Sequence, residues 1–288
     1  MRITRLAIYP VKSLRGIELD SATLTERGLA FDRHWMLVDA DGVFLTQREL
    51  PAMARIGVAL DEERLRLRRT GMADLTIDLA LPQGPTRRVR VWKSECEALD
   101  EGDEAANWLD AALGTPRAGS GGVRLVRFAP DHRRDVEADF LAVEEQGLTH
   151  TEFADGYPLL VASDTSLGLL NERLTAKDEA PVPMSRFRPS LVVDGGAAFV
   201  ERDWRSLQGP GYRLGIRKPC KRCKIITLDQ ISGEAPSVKE PLKTLVQMDT
   251  QPGWKGAYFG QNAIVEAGVG RVVRVGDELV ATSVDAAS

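Results

Sequence analysis

Short stretches in which apolar and charged residues alternate dominate the first third of the chain. A period of two is typical of strands with one buried face. The pattern predicts strands at residues 3–9, 17–19, 35–38, 43–46, 64–68 and 87–92. An Asp-Gly pair at 41–42, between two apolar runs, predicts a hairpin. A small β-barrel or sandwich is the simplest way to bury so many short strands.

The periodicity becomes helical after residue 100. Residues 103–113 begin with acidic residues and end before Gly114, and their apolar residues can share one face, so a helix is predicted here. The segment 163–166 predicts the start of a second helix over 167–174. Further strands are predicted at 123–128, 190–193, 212–216, 224–228, 263–266, 272–275 and 279–280.

These elements predict an α+β protein in which β-structure dominates. The stretch 115–122 is rich in glycine and small residues, which is typical of a linker. We therefore expect one domain over residues 1–118 and a second over 119–284. The second is predicted to be β-rich as well, with a few helices.

The composition of the chain argues against nucleic acid and membrane as binding partners. The chain has 288 residues and a net charge of -4, with both signs interspersed, so no field favours nucleic acid and no nucleic-acid partner is expected. Arginines interrupt the first residues, and no apolar run approaches the roughly 20 residues of a membrane-spanning helix. We expect a cytoplasmic protein without membrane contact. With three cysteines, no disulfide framework is expected.

The densest chemistry lies at residues 217–224, where Cys220 and Cys223 stand among five lysines and arginines. Cations stabilise a thiolate against its thiol, and the thiolate is the form that binds soft metals. The same cations favour a bound anion. One segment thus offers a soft metal ligand together with a phosphate-binding group.

The cysteine pair alone leaves several interpretations open. It could be half of a zinc site, but the remaining candidates lack zinc-like spacing: Cys96, His34, His132 and His150. It could be a thioredoxin-like dithiol, although such a motif normally opens a helix and here a β-branched run follows. It could also be an inert buried pair. Composition does not name the metal.

Motifs in both halves resemble one known family. Six segments of the second half resemble the signature of the MOSC domain, the C-terminal domain of molybdenum-cofactor sulfurases: CKRC at 220–223, TLD at 227–229, SG at 232–233, KEPLKTL at 239–245, YFGQN at 258–262 and VGD at 275–277. Three segments of the first half resemble the domain that precedes MOSC in amidoxime-reducing proteins: YPVKS at 9–13, GLAFDRHW at 28–35 and FLTQR at 44–48. The resemblance implies an N-terminal β-barrel-like domain packed on a MOSC β-barrel domain.

The resemblance also implies a site. The family binds a molybdopterin that holds molybdenum, and a protein cysteine adds a further sulfur ligand; this position corresponds to Cys223, with Cys220 as a companion that does not bind metal. Asp155 corresponds to an aspartate near the metal that can assist proton delivery. Ser190 stands where asparagine is usual. The implied cofactor-binding residues are Lys12, Ser13, Arg33, Ser166, Arg188 and Ser190.

The function implied by the resemblance is the molybdenum-dependent reduction of N-hydroxylated compounds such as amidoximes, hydroxylamines and N-hydroxylated bases. The oxygen atom leaves as water with two electrons and two protons. The alternative is a sulfur carrier, or a protein that sulfurates or stores the cofactor, using the same cysteine. The sequence holds no cysteine-desulfurase domain, the pyridoxal-phosphate-dependent part of a sulfurase, which favours the reductase.

Electrons are expected from a separate protein. No cysteine follows Cys223, so the ligands for an internal iron–sulfur cluster are missing. The sequence also has no glycine-rich dinucleotide fingerprint. We therefore expect a ferredoxin, a cytochrome b5-like protein or a flavoprotein reductase as the electron donor.

Overall fold

A computed structural model of the chain describes residues 1–82, 84–114 and 122–283. These residues form a β-dominated α+β fold, as predicted. The helices are α1 (Asp103–Leu113), α2 (Asp164–Thr175) and α3 (Leu242–Met248). The strands are β1 (Ile3–Ile8), β2 (Ile17–Leu19), β3 (Ser21–Thr25), β4 (Gly28–Leu29), β5 (Trp35–Val38), β6 (Gly57–Leu60), β7 (Arg64–Arg68), β8 (Leu75–Asp78), β9 (Thr86–Val91), β10 (Ser94–Asp100), β11 (Arg124–Phe128), β12 (Leu159–Ser163), β13 (Leu191–Val193), β14 (Trp204–Gly209), β15 (Tyr212–Lys221), β16 (Tyr258–Ala267), β17 (Val272–Arg274) and β18 (Val280–Ser283).

The prediction of a strand at 224–228 is wrong. Lys224–Thr227 forms a 3-10 helix, in which the hydroxyl of Thr227 donates to the carbonyl of Lys224 at 2.8 Å. Local hydrogen bonds therefore replace a sheet ladder, despite the β-branched residues in this run. The prediction of a strand at 43–46 is also wrong, because Val43 and Phe44 form only isolated β-bridges.

The closing strands do not pair as a hairpin. β17 pairs with β3, whereas β18 pairs with β14, so the turn between them crosses from one sheet to another. By contrast, α1 is confirmed, with Ala105, Leu109 and Ala112 buried and Gly114 at its end. The side chain of Ser163 caps α2 by accepting from the backbone N–H of Ser166.

Strands from the two predicted domains, residues 1–118 and 119–284, are interleaved. These domains are called the first and the second half of the chain. The largest sheet has eight strands in the order β18-β14-β15-β16-β12-β13-β1-β2, so the first two strands complete a sheet built by the second half. Conversely, β11 lies in a four-stranded sheet of order β5-β11-β10-β9. The predicted boundary after residue 118 falls outside the described residues.

This interleaving positions the candidate site. The segment after β1, the end of β15 and the segment before β12 all reach the border between the eight-stranded sheet and the first-half sheets. Separate apolar cores support the two sides, one around Trp35 and Leu109 and another around Phe187 and Phe259. Within the described residues, no helix has both the length and the apolar character needed to cross a membrane.

A buried arginine of β11, whose guanidinium lies over the Trp35 ring, offers a test of the core around Trp35. Arg127 is 2% exposed, pairs with Glu101 at 2.7 Å and donates to the carbonyls of Asp78, Leu79 and Ala80. Its replacement by methionine removes a donor from three carbonyls and leaves the buried carboxylate of Glu101 without its cation, although the indole N–H of Trp35 still donates to it. We expect Arg127→Met to lower the free energy of unfolding by about 3–5 kcal/mol, measured by urea denaturation.

The matched control is Arg64→Met, which removes an exposed ion pair to Asp78. Exposed pairs contribute about 1 kcal/mol or less, so this variant should unfold close to the wild type. Equal urea midpoints for all three proteins would contradict a structural role of Arg127.

Candidate cofactor-binding cleft

A cleft opens where the cysteine segment meets the ends of β1 and β12. It is built from segments distant in sequence, and its wall contains seven of the eight predicted site residues. The lining residues are Lys12, Ser13, Arg33, Thr46, Arg48, Ala154, Asp155, Gly156, Tyr157, Pro158, Leu159, Leu160, Phe187, Arg188, Ser190, Cys220, Lys221, Arg222, Cys223, Ile225 and Asn262.

The structure distinguishes the two cysteines of the pair. Both are free thiols. Cys220 is half-buried near the end of β15, and its sulfur accepts a hydrogen bond from Nη1 of Arg222 at 2.8 Å. Cys223 follows the strand, caps the 3-10 helix and is exposed. The thiol of Cys223 is therefore the more accessible of the two to a ligand.

A lysine–aspartate pair lines the cleft, with Lys12 in the segment after β1 and Asp155 in the segment before β12. Nζ of Lys12 is buried and donates to Oδ1 of Asp155 at 2.6 Å and to the carbonyl of Phe153 at 2.7 Å. Burial lowers the pKa of Lys12, and the Asp155 carboxylate opposes that shift. The pair thus fixes the ammonium group at the wall of the cleft.

Asp155 stays ionised in this setting. Although it lies within the cleft, 67% of its side chain is exposed. Desolvation acts to raise its pKa, but the Lys12 ammonium and hydrogen bonds from Lys12 and Trp92 hold the pKa well below its ordinary value. Arg134 fixes the preceding backbone by donating to the carbonyls of Glu152 and Ala154.

Two arginines stack on one tyrosine. The guanidinium carbons of Arg33 and Arg188 lie 4.3 Å and 4.2 Å from the ring centre of Tyr9. Burial raises the pKa of Tyr9 to about 12 and lowers that of Arg188 to about 10, so at neutral pH the phenol is neutral and the arginine charged. Asp32 pairs with Arg33 and accepts from the backbone N–H of Tyr9 at 2.7 Å. The ring of Tyr9 thus contacts two planar cations.

Three predicted cofactor residues adopt left-handed backbone conformations. The φ angles of Ser13, Arg33 and Arg188 are 66°, 54° and 55°. Such conformations cost about 1–3 kcal/mol each in non-glycine residues and concentrate at functional sites. Hydrogen bonds hold them: Nε2 of Gln47 donates to the carbonyl of Ser13 at 2.8 Å, and Nη2 of Arg33 donates to the carbonyl of Arg188 at 3.1 Å.

The two remaining predicted serines differ in position. Ser190 lines the cleft, and its hydroxyl accepts from the backbone N–H of Leu160 at 3.3 Å. Ser166 is not among the residues that line the cleft. It is buried in the first turn of α2, where its hydroxyl donates to Glu201 and accepts from the backbone N–H of Phe199. The hydroxyl of Ser166 therefore makes hydrogen bonds within the second half of the chain and not with groups in the cleft.

The donor set of the cleft fits a bulky anion that carries a soft metal. Cationic side chains surround one accessible thiol, and Asp155 is the one carboxylate among the described lining residues. Nε of Arg222 is buried and has no hydrogen-bond partner in the described part of the chain. This N–H group can therefore donate to an acceptor on a bound anion. The cations are Lys12, Arg33, Arg48, Arg188, Lys221 and Arg222.

A metal site made of protein ligands alone does not fit. Over residues 1–82, 84–114 and 122–283, no group of three or more His, Cys, Asp or Glu side chains is placed to hold a metal ion. A structural zinc site, which needs four such ligands, is absent from this part of the chain. A metal bound through Cys223 would need a second molecule to supply the other ligands.

Known proteins share both halves of this arrangement. Residues 1–116 match the family model of the MOSC N-terminal beta barrel domain, and residues 149–280 match the MOSC domain. Mitochondrial amidoxime-reducing component 1 of Xenopus laevis is 32% identical over 288 residues, covering 96% of this chain and 80% of that protein. The chain belongs to the MOSC family.

Further relatives of this MOSC protein carry two different names. Mitochondrial amidoxime-reducing component 1 of Homo sapiens is 30% identical, covering 92% of this chain and 78% of that protein. Molybdenum cofactor sulfurase of Oryza sativa subsp. japonica is 29% identical, covering 88% of this chain but 31% of that protein. The family thus associates this chain with the molybdenum cofactor.

Several lining residues of this MOSC protein were not singled out from the sequence. Arg48 and Thr46 lie in the FLTQR segment, and Asn262 ends the YFGQN segment. Lys221 and Arg222 lie between the two cysteines. All five belong to segments that carry the family resemblance, which was the available signal.

The Lys12–Asp155 pair predicts a definite pH response. Because the pKa of Asp155 in the folded protein lies below that of an unfolded chain, the stability from this pair is complete above about pH 4 and is lost as the pH falls. We expect Lys12→Met to raise the pKa of Asp155 by about one unit or more. Carbon NMR of the aspartate carboxyl groups measures this, with Asp155→Asn to assign the signal. An unchanged titration in Lys12→Met would show that the lysine does not control the carboxylate.

Proposed function

We propose that this MOSC protein is a molybdenum-cofactor-dependent reductase of N-hydroxylated compounds, with electrons supplied by a separate redox protein. The observation that carries the proposal is the exposed thiol of Cys223 at a cleft lined by six cations. A thiolate is a preferred ligand of soft metals, and the surrounding cations favour a phosphate-bearing pterin. The relatives named amidoxime-reducing component support the choice of substrate class.

Each group in the cleft has a distinct role in this proposal. Cys223 binds the metal, while the guanidinium groups of Arg33 and Arg188 suit the phosphate and pterin because their planar forks can donate two parallel hydrogen bonds. Lys12 and Ser13 add an ammonium and a hydroxyl donor. When bound, the cofactor supplies the two-electron chemistry that removes oxygen from the substrate nitrogen.

The reaction consumes two protons, and Lys12 and Asp155 together are the proposed route for them. Because its pKa is held low, the Asp155 carboxylate is ionised at neutral pH and has no proton of its own to donate. The Lys12 ammonium beside it carries a proton, and burial lowers the pKa of this group from its ordinary value, which favours proton release. The pair is therefore proposed as a proton relay, with Asp155 as the solvent-exposed end.

A second candidate function uses the same thiol. The relative named molybdenum cofactor sulfurase suggests a carrier that receives sulfur on Cys223 and passes it to a cofactor. An exposed thiol suits this role as well. Mass spectrometry distinguishes the two, because a carrier accumulates a persulfide on Cys223 when it is given a donor persulfide, which transfers its outer sulfur and leaves as a thiol.

The cysteine pair supplies the direct test. Loss of outer-shell partners of a metal site costs about 10- to 100-fold in affinity or activity, so loss of the ligand itself should exceed 100-fold. We expect Cys223→Ala to lose most molybdenum and to reduce benzamidoxime more than 100-fold more slowly with reduced methyl viologen as the donor. Cys220→Ala is the matched control and should retain both. Full turnover by Cys223→Ala would refute the assignment.

The separate electron donor is tested with the same assay. We expect the purified protein to reduce benzamidoxime with reduced methyl viologen but not with NADH alone, because the sequence has no dinucleotide fingerprint. Adding a flavoprotein reductase with a ferredoxin or a cytochrome b5-like protein should restore turnover with NADH. Reduction driven by NADH and the pure protein alone would contradict this part of the proposal.

A further inference from the structure

A second groove runs directly into the cofactor-binding cleft. The two share lining residues, among them Asp155, Tyr157 and Asn262. The groove differs from the cleft in chemistry, because six of its eighteen lining residues are aromatic, against two in the cleft. Its aromatic residues are Phe44, Trp92, Phe140, Tyr157, Trp254 and Tyr258.

One aromatic group stands next to the Lys12–Asp155 pair. Trp92 is 46% exposed, and its indole N–H donates to Oδ1 of Asp155 at 3.0 Å. Its ring packs on Phe44 at a centroid distance of 4.9 Å, and Arg48 lies 4.5 Å from its centre. The backbone of Trp92 is left-handed, with φ 54°, a conformation that is uncommon for a bulky residue. An exposed indole is thereby held beside the proposed reaction centre.

A second aromatic group is formed by three rings from different segments. Trp254, which is 40% exposed, lies 5.7 Å from Phe140 and 6.0 Å from Tyr258, centre to centre. Lys218 lies 4.8 Å from the centre of the Phe140 ring and pairs with Glu137. Two exposed tryptophans thus line one concave surface that leads to the cleft.

The loop that carries Trp254 is tied to the cysteine segment. The backbone N–H of Arg222 donates to the carbonyl of Ala257 at 2.8 Å. Gly256 has a φ of 133°, and a Cβ there would lie 2.8 Å from Cε of Lys221. The end of the Lys221 side chain thus packs against the backbone of this loop at Gly256. Trp254 is held in place relative to Cys223 rather than on a remote surface.

We infer that this groove is a subsite for a flat aromatic ring of the substrate, so that the protein selects aryl and heteroaryl N-hydroxylated compounds over aliphatic ones. Binding sites for small molecules combine aromatic walls with a few placed polar groups, and here the walls continue into the cleft that holds Cys223 and Asp155. Aromatic rings stack on tryptophan in offset or edge-to-face arrangements. The inference rests on the proposed reductase function and adds its substrate class.

The groove is lined by four lysine and arginine side chains against three acids, so its charges favour a neutral ring over a cationic one. Its acids have protein partners: Asp135 pairs with His150, Glu137 with Lys218, and Asp155 with Lys12. The ring of the substrate therefore meets aromatic faces, while Asp155 lies where the polar group of the substrate enters the cleft.

Binding of two amidines that differ only in the ring tests the subsite. The full chain, purified from a host that makes the molybdenum cofactor, is titrated with benzamidine and with acetamidine by calorimetry. Aromatic pairing contributes enough to change affinity about tenfold. We expect Trp254→Leu to raise the Kd of benzamidine about tenfold and to leave that of acetamidine unchanged. Trp254→Phe should restore most of the affinity.

Trp108→Leu is the matched control. This tryptophan lies on α1 outside the groove, where its indole donates to the carbonyl of Ala73. It should leave both Kd values unchanged, and thermal unfolding checks that every variant is folded. A benzamidine Kd that stays within twofold in both Trp254→Leu and Phe140→Leu would overturn the subsite. Equal weakening of both amidines would overturn it too, because the effect would not depend on the ring.

Turnover separates this inference from the proposed function. Ring-dependent binding in a protein that reduces no amidoxime would support the subsite and refute the reductase. If instead benzamidoxime is reduced and Trp254→Leu leaves its kcat/KM relative to acetamidoxime unchanged, the reductase is supported and the subsite is overturned.

Discussion

The repulsion between cations that converge on one cleft is the constraint on which this structure depends. Six lysine and arginine side chains line the cleft against the single carboxylate of Asp155 among the described lining residues. Arg33 and Arg188 both contact the Tyr9 ring, Arg33 also pairs with Asp32, and Lys12 pairs with Asp155. In a chain of net charge -4, such a concentration of cations creates a local field that favours a bound anion.

The interleaved topology is what brings these charges together. Lys12 and Arg33 follow strands of the first half, while Arg188 and the cysteines belong to the second half. Because β1 and β2 complete the eight-stranded sheet, the border between the halves is a packed interior. A reciprocal pair of amide hydrogen bonds between Gln47 and Gln230 joins the halves at the cleft. The left-handed backbones at Ser13, Arg33 and Arg188 are maintained by this surrounding structure.

Sequence reasoning predicted most strands, α1 and seven of the residues that line the cleft, since alternation and short motifs are local signals. It failed at 224–228, where β-branched residues favour a strand but the chain turns into a 3-10 helix after Cys223. It could not find Trp254, because no local pattern shows that this loop meets Phe140 from a segment more than a hundred residues earlier. Ser166 has the residue type of a cofactor ligand, yet burial beside Glu201 decides its contacts.

The central claim is that the sulfur of Cys223 binds the metal of a pterin cofactor. X-ray absorption at the molybdenum edge measures it directly in cofactor-loaded protein, compared with Cys223→Ser and Cys220→Ser. The account predicts that the sulfur coordination of molybdenum falls by one in the serine variant at 223 and is unchanged in the variant at 220. An unchanged sulfur shell in Cys223→Ser, or the loss of one sulfur in Cys220→Ser, would contradict it.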